Sequence, residues 1–213
     1  MRFFCSDLHL GHANVIKYCN RPYKDVDEMA QAIITQWNSQ VKDGDLVYCL
    51  GDMSLNRYRC FEVLPWLNGR KVLCYGNHEH ELWSIYPVKE KWKRCKQQYL
   101  DAGFSEVHVF RVVQIGGHWC ILGHLPPSDP RFMGYDGRFT NWRLDYWDDV
   151  WYLGGHLHAK FSKFDRFIDV GFDVALKLFS EDDIINLMED VRSFIPSRIT
   201  EWYAQQLPQE KIS

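Results

Sequence analysis

Short apolar runs alternate with helical patterns over the first hundred residues of the chain. The segments "RFFCS", "DLVYCLGD" and "KVLCYGNH" each pass from apolar to polar residues within eight positions, which is typical of strands that end at the edge of a core. Between the first two, residues 26–41 place Met29, Ile33, Trp37 and Val41 four positions apart, so one face of a helix is apolar. This alternation predicts an α/β fold.

The pattern changes after residue 105. The segments "EVHVFRVVQI" and "HWCILGH" flank Gly116 and Gly117, which predicts a β-hairpin. Two further short strands are predicted in "VWYLGGHLH" and "RFIDVGF", so we expect the second half to be richer in antiparallel pairs. Helices are predicted over residues 57–67, over 81–101 with a break at Pro87, and after Ser180, which is a suitable N-cap.

Composition bounds the size and the partners of the fold. The 213 residues, 46% of them hydrophobic, suffice to bury one substantial core, so we expect a single domain over residues 1–213. A formal net charge of -3 gives no general reason to expect binding to nucleic acid. Nucleic acid is therefore a disfavoured partner, although a local basic patch would still allow it. The basic run over 89–98 is interpreted as the solvated face of a helix, with an anionic ligand as the alternative. The oligomeric state is left open.

The seven cysteines predict free thiols instead of disulfides or a zinc site. Their number is odd, and no CxxC pair occurs. Cys5, Cys49, Cys74 and Cys120 stand in apolar runs, where a small buried side chain suits a core strand. Reduced thiols indicate a reducing compartment. The sequence has no apolar segment near about 18 residues and no apolar leader, so we expect a cytoplasmic protein with no membrane partner.

Five polar motifs stand where predicted strands end. They are DLH at 7–9, GD at 51–52, GNHE at 76–79, GH at 123–124 and GHLH at 155–158. On a strand, residues two apart share a face, so Asp7 and His9 are expected to converge on one metal ion, and His156 and His158 to face the same way. Taken singly, each motif has a structural alternative. GD or GNH alone can be an ordinary turn, and the HxH of residues 156–158 can be two histidines with hydrogen-bond partners and no metal. The ordered set predicts a metal site at the carboxyl ends of the strands.

This series of motifs resembles the calcineurin-like metallophosphoesterase family over residues 5–158. The opening "SDLHLGHANVIKYCNRPY" is further similar to small, uncapped bacterial and phage members, which carry an "RP" after the first motif and a "VGFDV"-like stretch near the end. The resemblance implies a sandwich of two mixed β-sheets flanked by α-helices. It also implies two metal sites bridged by Asp52, with one ion on Asp7, His9, Asp52 and His158 and the other on Asp52, Asn77, His124 and His156.

The chemistry of these residue types agrees with that implication. Carboxylate, imidazole and amide ligands suit two divalent transition metal ions, with manganese expected first and iron, nickel or zinc as alternatives. Such a pair can polarise a phosphoryl oxygen and activate a bridging hydroxide for in-line attack. We therefore expect hydrolysis of phosphodiester or phosphomonoester bonds, in a nucleotide or another small organic phosphate. The alternatives are a metal-dependent nuclease, disfavoured by the net charge, and a non-catalytic binding scaffold, disfavoured because all seven ligand positions are filled.

The expected catalytic residues are His78, Asp52 and Asn77. By the resemblance, His78 contacts the phosphate and can protonate the leaving group, and Asn77 also contacts substrate. His12 and Arg57 are predicted substrate contacts, with solvent exposure or a local hydrogen bond as the alternative.

Three further features outside the ligand set keep alternatives open. Glu79 is interpreted either as a partner that orients His78 or as a turn-stabilising residue. Arg21 and Asn20 are interpreted either as phosphate contacts or as part of the turn before Pro22. Residues 131–147 contain three arginines and six aromatics, which suit either a nucleobase or a packed interior.

Overall fold

The first sheet carries the parallel strands that the amino-terminal pattern predicts. The computed structural model describes residues 1–79, 89–129, 139, 142–158 and 163–190. In chain order the strands of this sheet are β1 (Arg2–Cys5), β2 (Leu46–Cys49), β3 (Arg70–Cys74), β4 (Phe104–His108) and β10 (Phe179–Ser180). The order across the sheet is β10-β1-β2-β3-β4, and only β10 is antiparallel to its neighbour.

Helices connect these strands. They are α1 (Ala13–Tyr18), α2 (Val26–Gln40), α3 (Arg57–Val63) and α4 (Lys89–Ala102). Helix α2 begins at its N-cap Asp25, whose side chain accepts two backbone N–H groups, and it buries the predicted apolar stripe. The helix predicted over 57–67 changes after α3 into a 3₁₀ turn, Leu64–Trp66, because Pro65 cannot continue an α-helix. The predicted break at Pro87 lies outside the described residues.

The second sheet has more antiparallel pairs than the first, as the sequence predicts. Its strands are β5 (Phe110–Ile115), β6 (His118–Gly123), β7 (Trp151–Gly154), β8 (Lys163–Phe164) and β9 (Phe167–Asp169), in the order β5-β6-β7-β9-β8. The β5–β6 hairpin is confirmed, and both glycines of its turn have positive φ. Strands β8 and β9 are also antiparallel, whereas β6 pairs with β7, and β7 with β9, in parallel. Two short helices follow, α5 (Phe172–Ala175) and α6 (Glu181–Glu189). Ser180 is the N-cap of α6, as predicted, and forms a capping box with Asp183.

Three apolar clusters hold the layers together. One packs α2 and α3 on the outer face of the first sheet, a second fills the space between the sheets, and a third covers the outer face of the second sheet. The predicted α/β sandwich of two mixed sheets with flanking helices is thus confirmed. All seven cysteines are free thiols, and the four assigned to strand cores are buried. Within the described residues, none of the helices has the length and apolarity needed to cross a membrane.

Candidate metal centre

The five polar motifs follow the ends of β1, β2, β3, β6 and β7 and bring their side chains together at one edge of the sandwich. The local backbone differs from the prediction. Strand β1 ends at Cys5, and Asp7 and His9 have φ values of 56° and 51°, so DLH is a left-handed loop and not a continued strand. The idea that they converge because they share a strand face is therefore wrong, although their side chains do meet.

The GHLH motif is corrected in the same way. Strand β7 ends at Gly154, and His156 and His158 have φ values of 73° and 48°. The two imidazoles do not face the same way but enter different clusters. Left-handed backbone is costly for residues with a side chain, at about 1–3 kcal/mol each, and persists where the surroundings fix it. It occurs at five of the seven predicted ligands: Asp7, His9, Asp52, His156 and His158.

Two glycines allow the motifs to approach each other closely. A Cβ atom on Gly155 would overlap with the Asp7 carboxylate, and one on Gly76 would overlap with the Asp52 carboxylate. In place of a side chain, each segment offers a backbone N–H. Asp7 Oδ2 accepts from the N–H of His156 at 3.0 Å, and Asp52 Oδ1 accepts from that of His78 at 2.8 Å. One oxygen of each carboxylate is thus fixed, and the other is directed to the clusters.

The first cluster contains Asp7, His9 and His158, whose candidate ligand atoms all lie within 4.8 Å of one another. The Nε2 atoms of the two histidines are 3.2 Å apart, and Asp7 Oδ1 lies 3.7 Å from His9 Nε2. Asp7 Oδ1 is buried and has no hydrogen-bond partner among the described residues. A buried anionic oxygen without a donor is costly, and a cation at this point would satisfy it.

The second cluster contains Asp52, His124 and His156, again within 4.8 Å. His124 Nδ1 donates to the carbonyl of Leu50 at 2.9 Å, which directs Nε2 to the cluster. This Nε2 atom lies 3.0 Å from Asn77 Oδ1 and 3.3 Å from Asp52 Oδ2. The donor set is therefore the mixture of carboxylate, imidazole and amide that the sequence predicts.

Asp52 stands between the two clusters. Its Oδ2 atom is 3.8 Å from His9 Nε2 in the first cluster and 3.3 Å from His124 Nε2 in the second. Burial opposes ionisation of Asp52, but the facing charge and hydrogen bond of His124 outweigh it and lower the pKa to about 2. The same pairing works in reverse on His124, where burial would lower the pKa but Asp52 raises it to about 9. The buried oxygens and imidazoles of the two clusters therefore fit divalent cations, and Asp52 faces both clusters.

His78 lies beside both clusters. Its Nε2 atom is 3.8 Å from Asp52 Oδ2, and its ring stands edge-on to that of His9 with centroids 5.1 Å apart. The side chain is 29% exposed, in contrast to the buried His9 and His124, so it borders both the clusters and solvent. Burial is the main cause of a lowered pKa at His78, although Asp52 opposes it.

The two predicted substrate contacts outside the metal motifs, His12 and Arg57, occupy different surroundings. His12 precedes α1, and its ring centroid is 5.3 Å from that of His9 and 6.0 Å from that of His78, so it borders the site. Arg57 is the first residue of α3, and its guanidinium stacks on the exposed ring of Tyr58 at 4.9 Å. Substrate contact by His12 and Arg57 stays a prediction.

Glu79 ties two of the motifs together through their backbone. Its buried carboxylate accepts the N–H groups of Asp52, Met53 and Gly76 at 2.7 to 2.9 Å. Burial and the nearby charge of Asp52 raise its pKa to about 7, against the effect of these three hydrogen bonds. Glu79 thus has the turn-stabilising role, one of the two that the sequence leaves open.

Sequence reasoning misses a charged residue that touches a predicted ligand. Asp173 Oδ2 lies 2.8 Å from His158 Nδ1, and Arg21 pairs with the same carboxylate. The segments that contain them, "RP" and "VGFDV", stand out in the sequence, but nothing in either indicates contact with the other. Most of the aromatic segment over 131–147 lies outside the described residues. Within it, Arg143 is buried and donates to the carbonyl of Pro126, which favours an interior role for this arginine.

Comparison with known proteins gives a family and relatives of similar length. Residues 3–160 match the sequence model of the calcineurin-like phosphoesterases. An uncharacterized protein of Methanocaldococcus jannaschii is 29% identical over 89% of this chain and 97% of its own length. The gene 66 protein of Mycobacterium phage D29 is 30% identical over 89% of this chain and 96% of its own length. A protein of unknown function from Aquifex aeolicus, solved by crystallography, shares the fold with a TM-score of 0.63 at 23% identity, covering 88% of this chain and 98% of its own.

Proposed function

Because the chain belongs to the calcineurin-like phosphoesterase family, we propose that it hydrolyses phosphate esters with two metal ions bridged by Asp52. The observation that carries this proposal is the position of Asp52 Oδ2, which faces an imidazole nitrogen of each cluster at 3.8 and 3.3 Å. A single structural ion would need only one closed set of ligands. Two adjoining sets with a common carboxylate are the arrangement that two-metal hydrolysis requires.

The seven candidate ligands are divided between the two ions. Asp7, His9 and His158 would hold one ion, and His124, His156 and Asn77 the other, with Asp52 between them. When bound, the two ions would polarise the phosphoryl group and lower the pKa of a water molecule for in-line attack. The glycines and backbone N–H groups around the carboxylates keep the free carboxylate oxygens directed at these positions.

His78 would supply the proton for the leaving group. It borders the clusters within 3.8 Å of Asp52 and is open to solvent, so an ester at the metal centre could reach it. Burial lowers the pKa of His78, and the negative charge of a bound phosphate would favour the proton-carrying form. His12, next to His9 and His78, and Arg57, at the start of α3, would contact the phosphate oxygens.

The finer assignments follow from ligand chemistry. Manganese suits this oxygen and nitrogen set, with iron, nickel and zinc as competitors. The substrate would be a nucleotide or another small organic phosphate, since the net charge of -3 gives no extended attraction for a polyanion. The buried free thiols favour the cytoplasm as its compartment.

A substrate panel tests the proposal. Metal-depleted protein is reloaded with Mn²⁺, Ni²⁺, Zn²⁺ or Mg²⁺ in turn and assayed on aryl phosphomonoesters and phosphodiesters, cyclic and linear nucleotides, pyrophosphate, and single- and double-stranded DNA. We expect turnover of small esters that depends on the added ion and is greatest with Mn²⁺. Turnover of DNA alone would favour a nuclease, and bound ions without any hydrolysis would favour a binding scaffold.

A further inference from the structure

Two segments that the proposed function leaves unused meet behind the first cluster. Arg21 comes from the "RP" segment and Asp173 from "VGFDV", 152 positions later in the chain. The Arg21 guanidinium donates two hydrogen bonds to the Asp173 carboxylate, from Nε to Oδ1 at 2.7 Å and from Nη2 to Oδ2 at 2.9 Å. Both side chains are almost completely buried, at 0% and 2% exposure. A buried ion pair is in itself weak support for stability, so its contacts indicate what else it does.

One contact of this pair reaches a predicted ligand. Asp173 Oδ2 lies 2.8 Å from His158 Nδ1, which therefore donates its hydrogen to the carboxylate. The opposite ring nitrogen, Nε2, is left to face the first cluster, 3.2 Å from His9 Nε2 and 3.8 Å from Asp7 Oδ1. Asp173 thus fixes both the rotation of the His158 ring and the nitrogen that is available to an ion.

The other contact holds the loop that carries the remaining ligands. Arg21 Nη2 donates to the carbonyl of Asp7 at 2.7 Å, and Nη1 donates to the carbonyl of Leu8 at 2.8 Å. Asp7 and His9 both have left-handed backbone, which needs outside contacts to persist. One guanidinium therefore secures the DLH loop and, through Asp173, the distant GHLH motif.

We propose that Arg21 and Asp173 are positioning residues that set the affinity of the first metal site and not of the second. The inference rests on the proposed function for the identity of the two sites. Its selectivity follows from the second cluster, where a different group, the carbonyl of Leu50, orients His124 at 2.9 Å. A carboxylate that orients a ligand imidazole typically changes metal affinity by about 10- to 100-fold.

Titration of the metal-free protein with Mn²⁺ tests this. Asp173→Asn keeps the size of the side chain and one acceptor oxygen but removes its charge. We expect one of the two binding steps to weaken by about 10- to 100-fold while the other is retained, and the weakened step should be the one that His158→Ala abolishes. Glu181→Gln is the matched control, because Glu181 forms a separate ion pair with Arg2. Loss of its carboxylate should leave both metal-binding steps unchanged.

Other results of this titration would contradict the positioning role of Asp173. Two unchanged steps in Asp173→Asn, or two equally weakened ones, would overturn the inference, and hydrolysis plays no part in that decision. If Asp173→Asn does not fold, the double variant Arg21→Met with Asp173→Leu removes both buried charges together, and it should show the same selective loss.

A third ion held by Cys19, His158 and Asp173, whose ligand atoms also lie within 4.8 Å, would appear as a stoichiometry of three that drops in Cys19→Ala and would contradict the positioning role. Wild type that binds no ion would contradict the proposed function as well.

Discussion

His78 separates proton transfer from metal binding at the scale of a single residue. It follows the predicted ligand Asn77 but is not itself in the ligand set, so His78→Ala should retain two ions. Turnover of an ester with a poor leaving group, such as an alkyl alcohol, should fall by about 10²- to 10⁴-fold, the usual contribution of a general acid. The deficit should shrink for p-nitrophenolate, which departs without a proton. The measurement is kcat on two esters that differ only in the pKa of the leaving group.

The control for this comparison is His118→Ala, because His118 lies at the start of β6 and packs near Trp151, away from the clusters. It should leave kcat unchanged on both esters. A deficit in His78→Ala that is equal for both leaving groups would mean that the imidazole contacts the phosphate without donating a proton.

The types of the site residues could be predicted from the sequence, but their conformations could not. Asp, His and Asn at strand ends indicate metal chemistry, and the structure brings these side chains together. Left-handed φ at Asp7, His9 or His158 has no marker in the sequence, because these residue types adopt it only where contacts such as those of Arg21 enforce it. The pairing of Arg21 with Asp173 is likewise a product of the fold, not of sequence spacing.

At the scale of elements, Glu79 joins the loops that follow β2 and β3. Its carboxylate satisfies three buried backbone N–H groups, and Glu79→Ala removes the acceptor of all three. We expect the free energy of unfolding to fall by about 1–3 kcal/mol, the cost of a buried donor left without a partner. Chemical denaturation of the metal-free protein at pH 5 measures it. At higher pH the ionised carboxylate would itself lower the stability of wild type, because burial and Asp52 raise the pKa of Glu79 to about 7, and its removal would mask the loss.

A matched glutamate elsewhere provides the reference. Glu62 pairs with Arg59 on the exposed face of α3, and Glu62→Ala should change the free energy of unfolding by less than about 0.5 kcal/mol. Equal effects of the two substitutions would show that the loops do not depend on Glu79.

Element types were predictable where a periodic pattern or a turn signal marks them. The apolar stripe of α2, the glycine turn between β5 and β6 and the cap at Ser180 are of this kind. The parallel pairing of β6 with β7 is different, because 27 residues separate the end of β6 at Gly123 from the start of β7 at Trp151 and no local signal reports which strands become neighbours.

At the scale of the whole molecule, metal binding should be coupled to proton release. In the metal-free chain, burial would lower the pKa of His158, but the hydrogen bond to Asp173 raises it to about 11, and Asp52 raises that of His124 to about 9. Both imidazoles therefore carry a proton on both nitrogens at pH 7. Each must lose one to bind an ion, so apparent affinity should increase as the pH rises from 7 toward 9.

Calorimetric titration with Mn²⁺ at pH 7, in two buffers with different enthalpies of ionisation, measures this coupling. We expect at least one proton to be released per chain. Binding heats that do not depend on the buffer would contradict the charge pattern assigned to the two clusters.

The requirement for two ions joined by Asp52 underlies the proposed hydrolysis. It is tested most directly by titrating metal-free protein with Mn²⁺ while following turnover of bis-p-nitrophenyl phosphate, with bound metal determined by elemental analysis at each point, in wild type and in Asp52→Asn. We expect no turnover without metal, turnover that rises only as the second ion binds in wild type, and weakened binding at both sites with no turnover in Asp52→Asn. Turnover that is complete with one ion or none, or an Asp52→Asn variant that retains two ions and normal activity, would contradict it.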